Sequence, residues 1–424
     1  MKKYIFIFLL LPLLIFISCF DPIFYNISNE DEILDPKISG NPGNFVMFNG
    51  NMYVASGMTL YRYNGHYKEG NGTVHSDKGD WDDSTPDGKL KPPGGRIFML
   101  AATNSNIFAL CEDLVDRNGE KVPEIFLRKS SNPESDNFSD VPVNIGSIRY
   151  RILSVYSINN RLFLGAWSAN DTGGILIKDA SGNDVSGSLN ILTAGDSGND
   201  LARLAGTDNK LLNGAEYNNA DYYLSAIDLR NDAGCIYVSD LTPANTKPKS
   251  GSEGIPFTGI INLKDSNNTI VAINRKGVLY YVSSLTDTKR NFSDHLATGA
   301  LAIYEKNGKR LLLAGRQNNI VTSVTSGYMY GYLELEIGNG ISGSEFREPG
   351  KNSNSSMPLD NSPGENGKYN SSIGKMSINH IFQYPGTEDN DKILFVSTQK
   401  NGIWSYRYRK SSDSTWYWYW NAEQ

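Results

Sequence analysis

The sequence predicts an all-β fold, a single β-propeller of seven four-stranded blades, from three observations. A two-strand unit recurs along the chain, Asn-Gly and Asn-Asn dipeptides sit where hairpins would turn, and no stretch carries helical periodicity. A chain of 424 residues ordinarily holds two or three domains. Self-similarity overrides that expectation, because a stack of repeats forms one continuous body.

In the unit, a short apolar strand meets a glycine-containing turn and is followed by a second strand rich in Tyr, Ile, Val and Leu. The clearest copies are Met52-Tyr53-Val54-Ala55 with Leu60-Tyr61-Arg62-Tyr63, and Thr269-Ile270-Val271-Ala272 with Val278-Leu279-Tyr280-Tyr281. Others are Ile107–Leu110 with Ile125–Leu127, Leu162–Gly165 with Ile175–Ile177, and Ile393–Val396 with Ile403–Tyr406. Two weaker copies bring the number to seven: Leu311–Ala314 with Tyr328–Tyr330, and one ending in Gly234–Val238, where Tyr222-Tyr223-Leu224 fits either of two strands. A further apolar strand precedes each pair, as Phe45–Phe48 before Asn49-Gly50 and Ile152–Val155 before Asn159-Asn160. Asn and Gly accept the positive φ that two-residue hairpins need, so the unit reads as an antiparallel meander.

No window sustains apolar residues at i, i+3, i+4 and i+7 over three turns. The propeller is expected over residues 41–424. Outside the blades fall Phe20–Gly40, a polar tether, and Ile341–Ser372, whose Ser, Asn, Gly and Pro cannot bury enough apolar area to order themselves.

The N-terminus has the three parts of a secretory signal: Lys2 and Lys3, an apolar run from Tyr4 to Ile17, and the small residue Ser18 before Cys19. The run is short for a membrane span, which takes about 18 or more apolar residues. Phe16-Ile17-Ser18-Cys19 resembles the lipobox of bacterial lipoproteins, with Phe16 where Leu is usual. The resemblance implies that residues 1–18 are removed and Cys19 carries acyl chains, each buried CH₂ contributing about 0.8 kcal/mol to anchoring. An Asp directly after the cysteine tends to mark inner-membrane retention in such lipoproteins. Phe20 stands there instead, so the outer membrane is expected.

Losing Lys2 and Lys3 takes the formal charge from −6 to about −8, an acidic balance that excludes nucleic acid as a partner, since its binding rests on Lys and Arg at phosphates. Beyond Cys19 only Cys111 and Cys235 remain, too few for a disulfide framework, and they read as packed thiols. His66, His75, His295 and His380 are scattered without zinc-ligand spacing. The acidic run Asp77, Asp80, Asp82, Asp83 and Asp87 reads as a solvated loop, lacking the spacing of a known calcium loop. No phosphate loop or nucleophile elbow occurs, and no cofactor, metal or catalytic residue is assigned.

A second theme follows the third strands. Asn137-Phe138-Ser139-Asp140 and Asn291-Phe292-Ser293-Asp294 are identical, and each follows a Ser-Ser pair, Ser130-Ser131 or Ser283-Ser284. Ser411–Trp416 occupies the corresponding place near the C-terminus, and Ser76–Trp81 has a similar composition with different spacing. These turns resemble degenerate Asp-boxes of sialidase-like propellers, where a short acidic side chain closes its own turn and an aromatic packs between sheets. The resemblance implies fold and not activity. A sialidase would also need an arginine triad, a Tyr–Glu pair and an acid/base Asp, and only Gly95-Arg96-Ile97-Phe98 resembles part of that set.

Loops joining second and third strands share one propeller face, and several place a base there: Arg117, Arg275, Arg316 and Lys400, with Trp167 ending the corresponding strand of the third copy. Together they would make a positive, aromatic-edged mouth for a carboxylate or sugar acid. Trp416-Tyr417-Trp418-Tyr419-Trp420 reads as a packed strand of the last blade. The reading is a non-enzymatic, lipid-anchored envelope protein that binds a protein or glycan partner through one face. The alternatives are a glycan-acting hydrolase of the sialidase type and an envelope assembly scaffold.

Overall fold

A computed structural model describes the chain from Lys37 to Glu423, except 146–147, 169–172, 186–190, 193–208, 219–220, 229–232, 241–246, 253, 275–277, 283–289, 292–299, 307–308, 317–330, 338–372, 374–375, 387–391 and 411–415. These residues form seven antiparallel sheets in sequence order. The first holds β1 (Val46–Phe48), β2 (Asn51–Ser56), β3 (Thr59–Lys68) and β4 (Val74–Asp83). The second holds β5 (Arg96–Ala102), β6 (Ile107–Arg117), β7 (Glu120–Ser130) and β8 (Ser139–Asp140). In the third, a short β9 (Asn144–Ile145) precedes β10 (Ile148–Ile158), β11 (Arg161–Ser168), β12 (Gly173–Lys178) and β13 (Ile191–Leu192). The fourth contains β14 (Asn209–Asn218), β15 (Asp221–Asp228), β16 (Ala233–Ser239) and β17 (Lys247–Pro248), and the fifth β18 (Phe257–Asn262), β19 (Ile270–Asn274), β20 (Val278–Tyr281) and β21 (Arg290–Asn291). The sixth has β22 (Ala300–Lys306), β23 (Lys309–Gly315) and β24 (Tyr332–Glu336). The seventh closes with β25 (Ile378–Gln383), β26 (Leu394–Thr398), β27 (Ile403–Lys410) and β28 (Trp416–Ala422).

Side-chain alternation splits each second strand between two neighbours. Leu162 and Leu164 pack toward the second sheet with Phe108 and Leu127, while Phe163 between them packs toward the fourth with Tyr222 and Tyr237. Sheets covered on both faces favour unbroken apolar runs, which is why the second strands were the clearest sequence signal. The same division repeats around the chain and ends with Phe395 and Ile403 of the seventh sheet against Tyr63 and Trp81 of the first. The seven sheets therefore close into a ring.

Asn49-Gly50 and Asn159-Asn160 have the turn chemistry the sequence predicts, both at positive φ, and Asn118-Gly119 takes it as well. A one-residue bulge recurs in five first strands, at Phe98, Leu153, Leu212, Thr258 and Asn379. Bulges sharpen strand twist, and here they recur where first strands of neighbouring sheets meet.

Polar side chains stitch the seams. Asn44 accepts from and donates to the backbone of Leu100, at 3.0 and 2.7 Å. Ser157 donates to the carbonyl of Ala102, and Ser225 to that of Phe257. Gln383 pairs twice with the backbone of Glu305. At the closing seam, Phe45 N–H donates to His380 Nδ1 at 3.3 Å, and Asn379 donates to Asn41.

The outer part of that seam holds a buried charge network. The Arg407 guanidinium, fully buried, bonds the Glu423 carboxylate at 2.6 Å and Tyr63 Oη at 3.2 Å, and stacks on the Tyr63 and Phe395 rings. Glu423 also accepts from Ser405 and from the Trp81 indole. Burial pushes the Tyr63 hydroxyl up to about 12. Burial also works against the charge of Arg407, but Glu423 outweighs it and the pKa rises.

Four expectations are corrected. The third strand of the sixth sheet is Tyr332–Glu336, whose alternating apolar residues face the fifth and seventh sheets, whereas Tyr328–Tyr330 lies outside the described residues. The tether is shorter than expected, because Ile38 is buried and its carbonyl accepts from Ile403 N–H. Most of the acidic run is no loop: Asp80, Asp82 and Asp83 pair with β3, Asp77 lies in β4 where its register shifts, and Asp87 follows in a turn. Ser76–Trp81 lies in that same strand and is not a turn. The ambiguous Tyr222-Tyr223-Leu224 belongs to β15, a second strand. Cys19 and the 341–372 segment lie outside the described residues.

Candidate functional site

Antiparallel order places the turn between second and third strands, the end of each fourth strand and the start of each first strand on one face of the ring. On that face the second sheet extends an arm: β6 and β7 are each 11 residues long and stay paired to the Arg117–Glu120 closing pair. β5 matches only Ile107–Glu112 of β6, so the outer half of the hairpin stands clear of its sheet.

The root of the arm is fixed by Arg128. Its guanidinium donates to Asp113 at 2.9 Å, Asp140 at 3.0 Å and the Pro93 carbonyl at 2.9 Å, and lies over the Phe126 ring. The Arg128 hydrogen bond holds the Asp113 carboxyl below its usual range. Gly94, at φ +83°, passes so close that a Cβ there would lie 2.4 Å from Arg128 Nη1.

At its middle, the free edge of the arm withholds its donors. Leu114 N–H, directed away from β7, is taken by Asp113 Oδ1 at 2.9 Å, and Pro123, opposite Leu114, has no N–H. Edge strands protected in this way do not template a further strand. Leu114 is 60% exposed, and two other exposed apolar residues lie on the same face: Met58 in the β2–β3 turn at 64% and Phe98 at the start of β5 at 37%. Ile97 N–H donates to the Gly57 carbonyl, which brings the Met58 turn beside Phe98. Arg96 lies over the Phe98 ring at 5.3 Å, a cation–π contact.

Of the bases predicted for a positive mouth, Arg117, Arg316 and Lys400 lie at or just past the ends of second strands on this face, in separate sheets. Arg117, at the arm tip, is paired with Glu124 at 2.5 Å. Arg316 is only 4% exposed, because its backbone bonds both Gly331 and Ile378 and holds it at the seam between the sixth and seventh sheets. Lys400 is exposed in the β26–β27 turn at φ +80°. Arg275 and the Trp167 side chain lie outside the described residues. The arm itself was not anticipated, although Asn118-Gly119 between Val115 and Val122 is a hairpin signal.

In the second sheet, the turn that carries the Ser-Ser and Asn-Phe-Ser-Asp residues is closed by Asp136, which accepts from Ser131 and Ser135, and Phe138 packs against the core between the first two sheets. Asp82 is held by Arg62 and Lys89, and among the described residues no group of three acidic, His or Cys side chains is arranged to hold a metal ion. No helix among them is long and apolar enough to cross a membrane.

No protein-family model and no curated protein matches the chain by sequence. Solved structures do match. An ancestral GH74 enzyme aligns with 92% of this chain and 47% of its own, at 14% identity and a TM-score of 0.55. The GH74 xyloglucanase from Xanthomonas campestris aligns over 92% and 55%, at 13% identity and a TM-score of 0.50. The chain is a β-propeller. It spans about half the length of those two enzymes, and at such identities the likeness extends to the fold alone. YCF48 in complex with D1 peptide also aligns, over 88% of this chain and 94% of its own, at 10% identity and a TM-score of 0.46.

Proposed function

We propose that this propeller is a lipid-anchored envelope protein, tethered through Cys19 to the outer membrane, that docks a protein partner through the face bearing the β6–β7 arm. The observation that carries the reading is Leu114, 60% exposed on a hairpin rooted by Arg128, with its own backbone N–H taken by Asp113. Leu114 held in solvent, with Met58 and Phe98 exposed on the same face, favours a protein surface over a glycan. The hydrolase alternative has less support, since Arg96 faces an aromatic ring.

Two experiments test the two halves. Metabolic labelling with a radioactive fatty acid should tag the wild type and not Cys19→Ser, and a labelled mutant would end the anchoring claim. A photo-crosslinking residue placed at Leu114 should capture a discrete protein band in cells, lost on adding Met58→Asp, while the same probe at Asn71, in the β3–β4 turn on the opposite face, should capture none. Equal capture at both positions, or none at Leu114, would overturn the docking face.

A further inference from the structure

We propose that the seam between the first and seventh sheets is an acid-labile latch, with His380 as its sensor, so that the ring opens there first when this imidazole takes up a proton. The hydrogen bond from Phe45 N–H to His380 Nδ1 spans the seam at 3.3 Å. A backbone amide can only donate, so Nδ1 must present a lone pair. An imidazolium carries N–H on both nitrogens and cannot accept, and protonation therefore replaces an attraction with two opposed donors.

Four stitches at other seams lack this sensitivity. Asn44 with Leu100, Ser157 with Ala102, Ser225 with Phe257 and Gln383 with Glu305 join amide or hydroxyl groups to backbone, and none of those groups titrates between pH 4 and 8. The surroundings of His380 are apolar: its ring lies 5.8 Å from that of Phe45, which in turn packs on Phe382 and Phe395. His380 is half-buried, and the burial of its ring pushes the imidazole from 6.5 down to about 4. The charged groups of the seam stand further out, between β3, β4 and β27. Among the described residues they include Arg407, Glu423 and Lys37, whose ammonium donates to the Trp81 carbonyl, and the titratable His66 lies beside them with its Nδ1 3.4 Å from Arg407.

The sign follows from linkage. The closed seam holds His380 neutral down to about pH 4, whereas an opened seam returns it to about 6.5, so opening is favoured as pH falls between those values. Between pH 7.5 and pH 5 the opening equilibrium should shift by about 30-fold.

Hydrogen exchange with mass spectrometry, corrected for intrinsic rates, tests this on the full chain. Peptides covering residues 41–48 and 376–383 should exchange about 30-fold faster at pH 5 than at pH 7.5 in the wild type. Peptides across the Ser225–Phe257 seam should not. His380→Gln, which keeps an acceptor that does not titrate, should abolish the difference, and His66→Gln should retain it. Exchange at the C2 position of His380 in the wild type reads its pKa directly, whether or not the variant folds. A value near 6.5, equal acceleration at both seams, or a pH response that survives His380→Gln would overturn the latch.

Discussion

Trp81, in the last strand of the first sheet, donates its indole N–H at 2.8 Å to the carboxylate of Glu423, just past the last strand of the seventh. The same carboxylate neutralises the fully buried Arg407, so one side chain near the end of the chain holds both partners of the ring closure. Glu423→Ala should therefore leave a guanidinium buried without its counter-charge and lower stability by about 3 to 5 kcal/mol. Urea unfolding followed by tryptophan fluorescence measures this, and a loss below about 1 kcal/mol would mean that the pair contributes little.

Gly79 lies against this network without a side chain. A Cβ there would lie 2.2 Å from Glu423 Oε2 and 2.6 Å from the Trp81 indole nitrogen. Gly79→Ala should lower the melting temperature by several degrees, whereas Gly70→Ala, where a Cβ meets nothing within 4 Å, should leave it nearly unchanged. Scanning calorimetry on the two variants makes the comparison, and equal melting temperatures would show that the seam yields to accommodate a methyl.

Cys111 should be chemically silent. Burial pushes its thiol up to about 12, leaving a thiolate fraction of about one in ten thousand at pH 8. Cys235 is also buried, beside Ser252. Iodoacetamide followed by peptide mass spectrometry should modify neither in the folded protein and both after denaturation. Rapid native labelling of Cys111 would show that the arm root opens readily.

Truncation after Arg409 should abolish folding. It removes β28, which pairs with β27 along its length, together with Trp420, buried against Tyr332 and Tyr406, and Glu423. A buried aromatic lost to alanine costs about 3 to 5 kcal/mol, and several such losses exceed a typical stability of about 5 to 15 kcal/mol. A sharp cooperative melt in the purified truncated chain would contradict this and reassign the aromatic run to binding.

The second strands were legible because each is covered by a neighbouring sheet on both sides, which forces unbroken runs such as Leu394–Val396. The turns were legible because Asn and Gly are the residues that tolerate positive φ. Legibility failed where local pattern and burial part company. In β4, alternating acidic residues read as a loop, yet Asp82 is satisfied by Arg62, on the opposite strand, and by Lys89. In the arm, charges flanking Leu114 and Val122 hid a hairpin whose root depends on Arg128 reaching Pro93, Asp113 and Asp140.

By itself, the sequence determined the class of fold, the order of its strands and the turn chemistry, all of which depend on residues within about 10 to 20 positions of one another. Ring closure was decided only by the tertiary structure. Phe45 with His380, Tyr63 with Arg407 and Trp81 with Glu423 are each more than 330 positions apart. No periodicity links such residues. They meet because seven twisted sheets, each packed on the next, bring the last against the first, and only there does burial make an imidazole, a guanidinium and a carboxylate depend on one another.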